Sequence, residues 1–593
     1  MLYKTYAVSR NNRVVLYCNF VIVAHRAVWT GWDIAKSTGV YDPVTDICAY
    51  YQYPLSGFGY NAADLICDAF CTVVSIGFNF QYLFTSFGKL GEMIVKDNVL
   101  RSVLILSINS YLLYANLNVT DQMTILKDIV RVEYAVRGEI AIRAEELRKQ
   151  LSVSPNSLPF TRITNCNIGN PQQLAQRPIT FFRQVAALVD YPDLLRSESN
   201  LFKPDARERA AKYLAAIGSA GAYSHSQGVP IVRREVADFI EKRDGFAADP
   251  ENIFLTAGAS PAVQLVLNSL ISHPKVGIMI PIPQYPLYTA SIALFNGTAI
   301  PYYLDEAKNW GLSKEELARS LAKARSEGVE VRALCIINPG NPTGQCLSLE
   351  NMNEVVEFCK KENIVLLADE VYQTNIYKPA ERPFHSFKKV VKSKGPEYDN
   401  FELISFHSVS KGMVGECGRR GGYFECTNID PEVMAQFYKI ASISLCPPVH
   451  GQLMVGLMTN PPKEGDASYA EYRKEMDDIY QSLVRRSNTL AKALNKLEGV
   501  SCNEAEGAMY LFPTITLPRK AVEAAKALGK QPDDMYCMEL LNETGVCVVP
   551  GSGFWQKEGT WHFRSTFLAP ENQMGEFAES LARFHEKFMN KYR

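Results

Sequence analysis

Lys411 is the residue whose surroundings say most about chemistry. It ends the string Ser405-Phe-His-Ser-Val-Ser-Lys411, Gly412 follows, and Gly418-Arg-Arg-Gly-Gly422 comes a few positions later. A lysine after an apolar strand is ordinarily a solvated surface group. Here small and hydroxyl residues surround it and two guanidiniums follow, which suits an amine held beside a phosphate. Three other strings carry similar promise. Leu255-Thr-Ala-Gly-Ala-Ser-Pro261 opens a helix with small residues. Its free amides and helix dipole make an anion site with the Ser260 hydroxyl as a further donor, although a Ser-Pro helix start read alone is a cap. Asn338-Pro-Gly-Asn-Pro-Thr-Gly344 follows the apolar run Leu334–Ile337. Its residue types make a tight turn, and a turn beyond the carboxyl end of a central strand is where open α/β sheets place ligands, so the Asn341 amide can meet a ring substituent there. Leu366-Leu-Ala-Asp-Glu-Val-Tyr372 ends an apolar strand in acids. A desolvated carboxylate needs a cationic or donor partner; a protonated ring nitrogen beside Asp369 meets that need, and so does a helix cap or a buried ion pair.

These strings need a scaffold that brings strand ends together. From about residue 225, short aliphatic runs (Val276–Ile280, Val331–Ile337, Ile364–Ala368, Leu403–Phe406) alternate with amphipathic stretches such as Pro261–Ile271 and Leu349–Glu362. Alternating strands and helices imply parallel crossovers and a sheet covered on both faces, a doubly wound α/β domain. A second block, Glu471–Leu497 with Gly507–Leu511, Val546–Val549 and a terminal helix near Gln573–Tyr592, reads as a smaller α+β unit, with a boundary at the Gly/Pro cluster Asn460–Gly465. The expected organisation is an amino-terminal extension (1–117), an arm with part of the small domain (118–224), a large domain (225–460) and a carboxy-terminal small domain (461–593).

The 593 residues suit roughly two to four domains. Because 62 basic residues balance 63 acidic ones, charge gives no reason to expect a nucleic-acid or anionic-membrane partner. The cysteines show no zinc spacing, so no metal is expected, and reduced thiols fit better than a disulfide framework. The first 117 residues are apolar and poor in charge. Val14–Ala24, set among basic residues, has some character of a targeting segment, and the uncharged stretch 102–120 is nearly long enough to cross a bilayer. Its Ser and Asn residues dilute it, and an extension without a chemical role is the preferred reading.

The order Ala-Ser, Asn-Pro-x-Asn-Pro-Thr-Gly, Asp-Glu-x-Tyr, Ser-x-Ser-Lys with Arg-Gly-Gly resembles that of the fold-type I pyridoxal 5′-phosphate (PLP) aminotransferases. The match is closest to the alanine aminotransferases of that family. Longer strings add to it: Glu133-Tyr-Ala-Val-Arg-Gly138, Asn167-Ile-Gly169, Gln176-Arg-Pro-Ile-Thr180, Ala222-Tyr-Ser-His-Ser-Gln-Gly228, Pro281-Ile-Pro-Gln-Tyr-Pro-Leu-Tyr288, Gly415-Glu-Cys-Gly418 and Trp561-His-Phe-Arg564. The resemblance runs from about residue 118 to the end. It implies a large domain with a mostly parallel sheet and a smaller α+β domain, with PLP as cofactor.

The resemblance also assigns roles. Lys411 forms the internal aldimine and shuttles the substrate Cα proton. Asp369 keeps the pyridine nitrogen protonated, Tyr372 and Asn341 bond the ring oxygen, and Tyr285 stacks on the ring. Ala259, Ser260, Ser408, Ser410 and Arg420 hold the phosphate. Arg564, with Gly169 closing near it and Asn341 adjoining, takes the substrate carboxylate. Tyr223 reaches a phosphate in a partner subunit, so a homodimer is expected. Two departures, Met413-Val414 in place of an aromatic and His225 in place of an acid, bear on substrate preference.

The implied reaction is L-alanine plus 2-oxoglutarate giving pyruvate plus L-glutamate. A glutamate–glyoxylate aminotransferase would share every residue named. A non-catalytic PLP- or amino-acid-binding regulator is the alternative of another class. The expected compartment is the cytoplasm, with the mitochondrial matrix as the alternative.

Overall fold

The computed structural model describes residues 138–196 and 199–593, together with residue 132 and parts of the first 51 residues. Contacts divide the chain into Met1–Lys127 and Asp128–Arg593. In the first unit, the strands Thr38–Asp42 and Ile47–Tyr51 pair antiparallel. The targeting-like run 14–24 is described only in part, as helical residues. The stretch 102–120 and residues 133–137 of the Glu133–Gly138 string lie outside the described residues. Among the described residues, no helix is long and apolar enough to cross a membrane.

The second unit is built on a seven-stranded sheet. Its strands are β1 (Ile253–Thr256), β2 (Val276–Ile282), β3 (Thr298–Tyr303), β4 (Glu330–Ile337), β5 (Val365–Asp369), β6 (Leu403–Ser408) and β7 (Gly422–Thr427), in the spatial order β1-β7-β6-β5-β4-β2-β3. Neighbours from β6 across to β3 run parallel, and β7 alone runs against its neighbours β6 and β1. The doubly wound expectation therefore holds, and the expected strands lie within a residue or two of their observed bounds. Three strands escape the sequence pattern for visible reasons. β1 has only four residues, β3 carries Pro301 and is tolerated because it is an edge strand, and β7 opens on Gly422 next to Gly421, which reads as a loop.

Successive strand residues point to opposite faces, so each strand feeds two cores. Met279, Leu334, Ile336, Leu366, Ala368 and Leu403 pack with residues of the helices Lys314–Ser326, Leu349–Glu362 and Phe387–Ser393. Ile278, Ile280, Cys335, Ile337, Leu367, Ile404 and Phe406 pack with residues of the helices Ala259–Leu270, Leu287–Leu294 and Pro431–Ile443. The same parity sends Asp369, two residues after Leu367, and Ser408, two after Phe406, toward the second face. Both are thereby delivered to the side where the helix from Ala259 begins.

A further core unites the helix Glu139–Val153 with the carboxy-terminal helices Tyr469–Leu494, Arg519–Ala527, Pro532–Thr544 and Met574–Tyr592. It also holds short strands, among them Tyr510–Leu511 and Phe563–Thr566. The helix Val449–Thr459 packs with Thr180–Asp190, Pro204–Ile217 and Pro230–Asp244 in another. Its Gly451 lies so close to the turn before β7 that a methyl group on it would collide with the Arg420 carbonyl, and one on Gly421 would collide with the Gly451 carbonyl. Both obstacles are backbone, which cannot swing aside. Gly421→Ala and Gly451→Ala are each expected to cost about 2–4 kcal/mol of stability. Thermal unfolding of the two variants checks this; transitions matching the wild type would show that the approach is looser than described.

Candidate active site

The carboxyl ends of the parallel strands open on one cavity of about 480 Å³. Each wall traces to a strand end. Ala259 and Ser260 start the helix after β1, Tyr285 follows β2, Asn341 lies in the turn after β4, and Asp369 closes β5 with Tyr372 just beyond. Ser408 closes β6, with Ser410 and Lys411 following, and Arg420 stands before β7. Gly169 closes the cavity from the segment Ile168–Asn170. Of the residues expected at the site, only Tyr223 and Arg564 do not line it. Tyr223 is 80% exposed. Met413, Val414 and His225 are also absent from the lining; His225 instead sits beside Tyr438, with ring centres 5.4 Å apart.

One end of the cavity is made for an anion. The helix from Ala259 presents unpaired first-turn amides. Gly258, at φ +99°, precedes them, and any side chain there would strike the Arg420 guanidinium. Arg420 is itself left-handed at φ +55°, and its side chain is fixed by the carbonyls of Ala257 and Cys417, both at 2.9 Å. The Ser408 hydroxyl accepts the Ser410 amide at 3.0 Å, and the Ser410 hydroxyl lies 3.5 Å from Arg420. Amides, hydroxyls and a guanidinium converge with no carboxylate among them.

At the base of the cavity, the buried Asp369 carboxylate accepts from Tyr288 Oη at 2.9 Å and more distantly from the Val371 amide at 3.4 Å. No cation forms a salt bridge with it among the described residues. Burial therefore raises its pKa to about 6, against the lowering effect of those donors and of Lys411. In the sequence, Tyr288 stands only as the last residue of the string Pro281–Tyr288. Its contact to Asp369 was invisible there because a tyrosine in an apolar helix start reads as core.

Arg564 presents the opposite charge in the same predicament. It is fully buried beside the cavity; Nη1 donates to Asn341 Oδ1 at 2.9 Å, Nη2 to the Asn167 carbonyl, and Nε has no partner among the described residues. Its guanidinium lies 4.3 Å from the ring centre of Tyr510 and 4.8 Å from that of Phe554. Only neutral acceptors hold this cation, and an incoming carboxylate would be the stronger partner. Asn341 links the two ends, since its Nδ2 also approaches Tyr372 Oη at 3.4 Å. Tyr372 Oη lies 3.0 Å from Tyr510 Oη, and Lys411 Nζ stands 5.8 Å from the Tyr372 ring centre. Tyr510 is the second residue that the sequence reading missed.

Comparison with known proteins shows the family. The profile of the aminotransferase class I and II family matches residues 193–581. Alanine aminotransferase 1, mitochondrial, of Arabidopsis thaliana is 54% identical over 474 residues, 79% of this chain and 87% of that protein. Glutamate–glyoxylate aminotransferase 1 of the same plant is 51% identical over 480 residues, covering 80% of this chain and 98% of that protein. Among solved structures, alanine aminotransferase from Pyrococcus furiosus superposes with a TM-score of 0.61 at 22% identity, over 78% of this chain and 99% of that one, which speaks to the fold. The chain belongs to the class I and II aminotransferases. That family implies pyridoxal 5′-phosphate. The cavity fits it: an anion cradle at one end, an acid lacking a cation at the base, and a lysine on the wall between.

Asp369 gives a test that needs no turnover. Its folded pKa lies above its unfolded value near 3.8, so the folded protein holds this proton more tightly. Stability of the cofactor-free protein therefore falls as pH rises from about 4 through about 6, by roughly 3 kcal/mol in all. Asp369→Asn removes that dependence. The melting temperature of the variant should pull ahead of the cofactor-free wild type between pH 5 and pH 7, whereas added PLP should raise the wild type more than the variant. Curves that stay parallel with pH would refute the assignment.

Proposed function

We propose that this protein transfers the amino group of L-alanine to 2-oxoglutarate, yielding pyruvate and L-glutamate, with PLP bound at Lys411. The observation that carries the reading is the single cavity with Lys411 and Asp369 on its walls between an anion cradle and Arg564. The names of relatives about half identical to this chain support alanine as the amino donor.

PLP, when bound, supplies an aldehyde that takes up the substrate amine and a protonated ring that draws electrons from the substrate Cα. The protein's residues do the rest. Asp369 keeps a proton on the ring nitrogen, exchanging its costly isolation for a charge pair. Tyr372 and Asn341 direct donors at the ring oxygen, and Tyr285 covers a ring face. The amides of Ala259 and Ser260, the hydroxyls of Ser408 and Ser410, and Arg420 hold the phosphate. Arg564 takes the substrate carboxylate in place of its neutral acceptors, with Gly169 closing over it, which fixes the Cα within reach of the Lys411 amine. That amine would take the proton from Cα, hold it on Nζ and deliver it to the cofactor carbon that bore the aldehyde, and the enzyme would alternate between two half-reactions.

A homodimer accompanies this reading. Tyr223 leaves its own cavity for solvent, and Tyr438, Ile443 and Leu445 are likewise exposed apolar groups. Residues 225–460 then form the large domain and 461–593 the small one, joined by the arm 118–224. The mitochondrial names among the relatives favour the matrix over the cytoplasm. The second reading, glutamate–glyoxylate transfer, has a comparable relative behind it.

Lys411→Ala should lower kcat at least about 10³-fold while the variant still binds PLP noncovalently. Coupled assay of pyruvate formation from alanine measures it. Near-normal turnover by the variant would exclude the mechanism, and turnover on glyoxylate well above that on pyruvate would favour the second reading.

A further inference from the structure

Tyr510 is fully buried and has no part in the roles above. Its strand pairs with the one that carries Arg564, opposite Thr566. Its hydroxyl lies 3.0 Å from Tyr372 Oη, its ring meets the Tyr372 ring edge-on at 5.8 Å, and its face lies 4.3 Å from the Arg564 guanidinium carbon. A methyl group on Gly169 would come within 2.7 Å of the same hydroxyl. One side chain thus touches three of the residues proposed to meet cofactor and substrate. Other buried tyrosines of this protein donate to carbonyl or carboxylate oxygens, Tyr302 to the Cys335 carbonyl at 2.7 Å and Tyr288 to Asp369 at 2.9 Å. Tyr510 instead accepts from another phenol, Tyr372.

We propose that Tyr510 is a positioning residue of the active site: its hydroxyl, shared with Tyr372, sets where the Tyr372 proton points, and its ring face seats Arg564. The proposal builds on the transamination reading. Two hydroxyls share one hydrogen bond, so one donates and the other accepts. Here Tyr372 donates to Tyr510; the bond must reverse, with Tyr510 donating, to free the Tyr372 proton for the cavity, and a Tyr510 that has lost its proton cannot make that reversal. Burial raises the Tyr510 phenol, but Lys411, Arg564 and the Tyr372 hydrogen bond together outweigh it and bring it below the ordinary tyrosine value. Burial, and next Tyr510 itself, push Tyr372 well above that value. The partner that titrates first is therefore the one behind, and alkaline pH turns the donor away from the ligand.

Two substitutions separate the two contacts. Tyr510→Phe keeps the ring on Arg564 and removes the hydroxyl; it should lower kcat about fivefold, leave KM for alanine within about twofold and move the alkaline limb of the pH profile to higher pH. Tyr510→Leu removes the ring as well, and KM for alanine should rise about tenfold. In the cofactor-free protein, near-ultraviolet titration should show one phenol ionising ahead of the other tyrosines, absent in Tyr510→Phe. An alkaline limb and an early phenolate unchanged in Tyr510→Phe would overturn the proposal, whether or not Tyr510→Leu folds. A wild type that makes no pyruvate would instead sink the transamination reading, and the titration would still decide where the early phenol lies.

Discussion

Two buried charges without counterions organise this protein. Asp369 closes a fully apolar strand and meets only a tyrosine hydroxyl and a backbone amide; Arg564 is held by two amide carbonyl groups and two aromatic faces. A protein that needed only stability would bring such charges together or do without them, because an isolated buried ion is costly. Here they are kept apart around a cavity, and in the function proposed above the ligand would supply both counterions: a cationic ring nitrogen for one and a carboxylate for the other. The anion cradle at Ala259 and Arg420 extends the rule, with donors converging and no acid among them.

Strand parity makes this separation possible at little conformational expense. In β5 and β6, alternate residues build one core and the intervening residues build the other, until each strand ends in a polar group on the face where the helix from Ala259 begins. The core thus extends to the floor of the cavity, and its rigidity is handed to the side chains that would touch a ligand. The antiparallel β7 contributes in another way. It brings the Arg420–Gly422 turn back beside Gly258, where only glycine leaves room for the guanidinium.

How legible the site was in the sequence follows from the same physics. Residues that act through local backbone announce themselves. Gly258, the Asn338–Gly344 turn, and the strand ends at Asp369 and Ser408 are all short strings of turn and polar types after apolar runs, and the seven-residue β2 and eight-residue β4 were plain for the same reason. Residues that act through distant partners do not. Tyr288 and Tyr510 sit in apolar stretches where an aromatic is ordinarily core, and only the fold sets one against Asp369 and the other between Tyr372 and Arg564. Arg564 was placed by resemblance; nothing around it in the chain reveals that its nearest polar partners lie some 220 and 400 positions away.

The two charges also belong to different cores, so something must hold those cores in register. That work falls on the turn after β4. Asn338 Oδ1 accepts the Leu347 amide at 3.0 Å, Glu506 accepts the Cys346 amide at 2.8 Å, and the Gly344 carbonyl takes the amides of Glu506 and Gly507 at 2.9 and 2.8 Å. Glu506 also receives Asn309 Nδ2 at 2.8 Å, so one buried carboxylate grips two loops of the sheet domain. Four residues beyond Glu506, the chain reaches Tyr510, whose strand pairs with that of Arg564. The turn that presents Asn341 to the cavity is thereby bonded to the segment that seats the guanidinium, and Asn341 in turn bonds that guanidinium. The circuit closes on itself: displacing Arg564 means disturbing Asn341, and displacing Asn341 means breaking a set of buried backbone bonds whose loss costs far more than a surface contact returns. A cavity assembled from two cores can in this way be as well fixed as one cut from a single core.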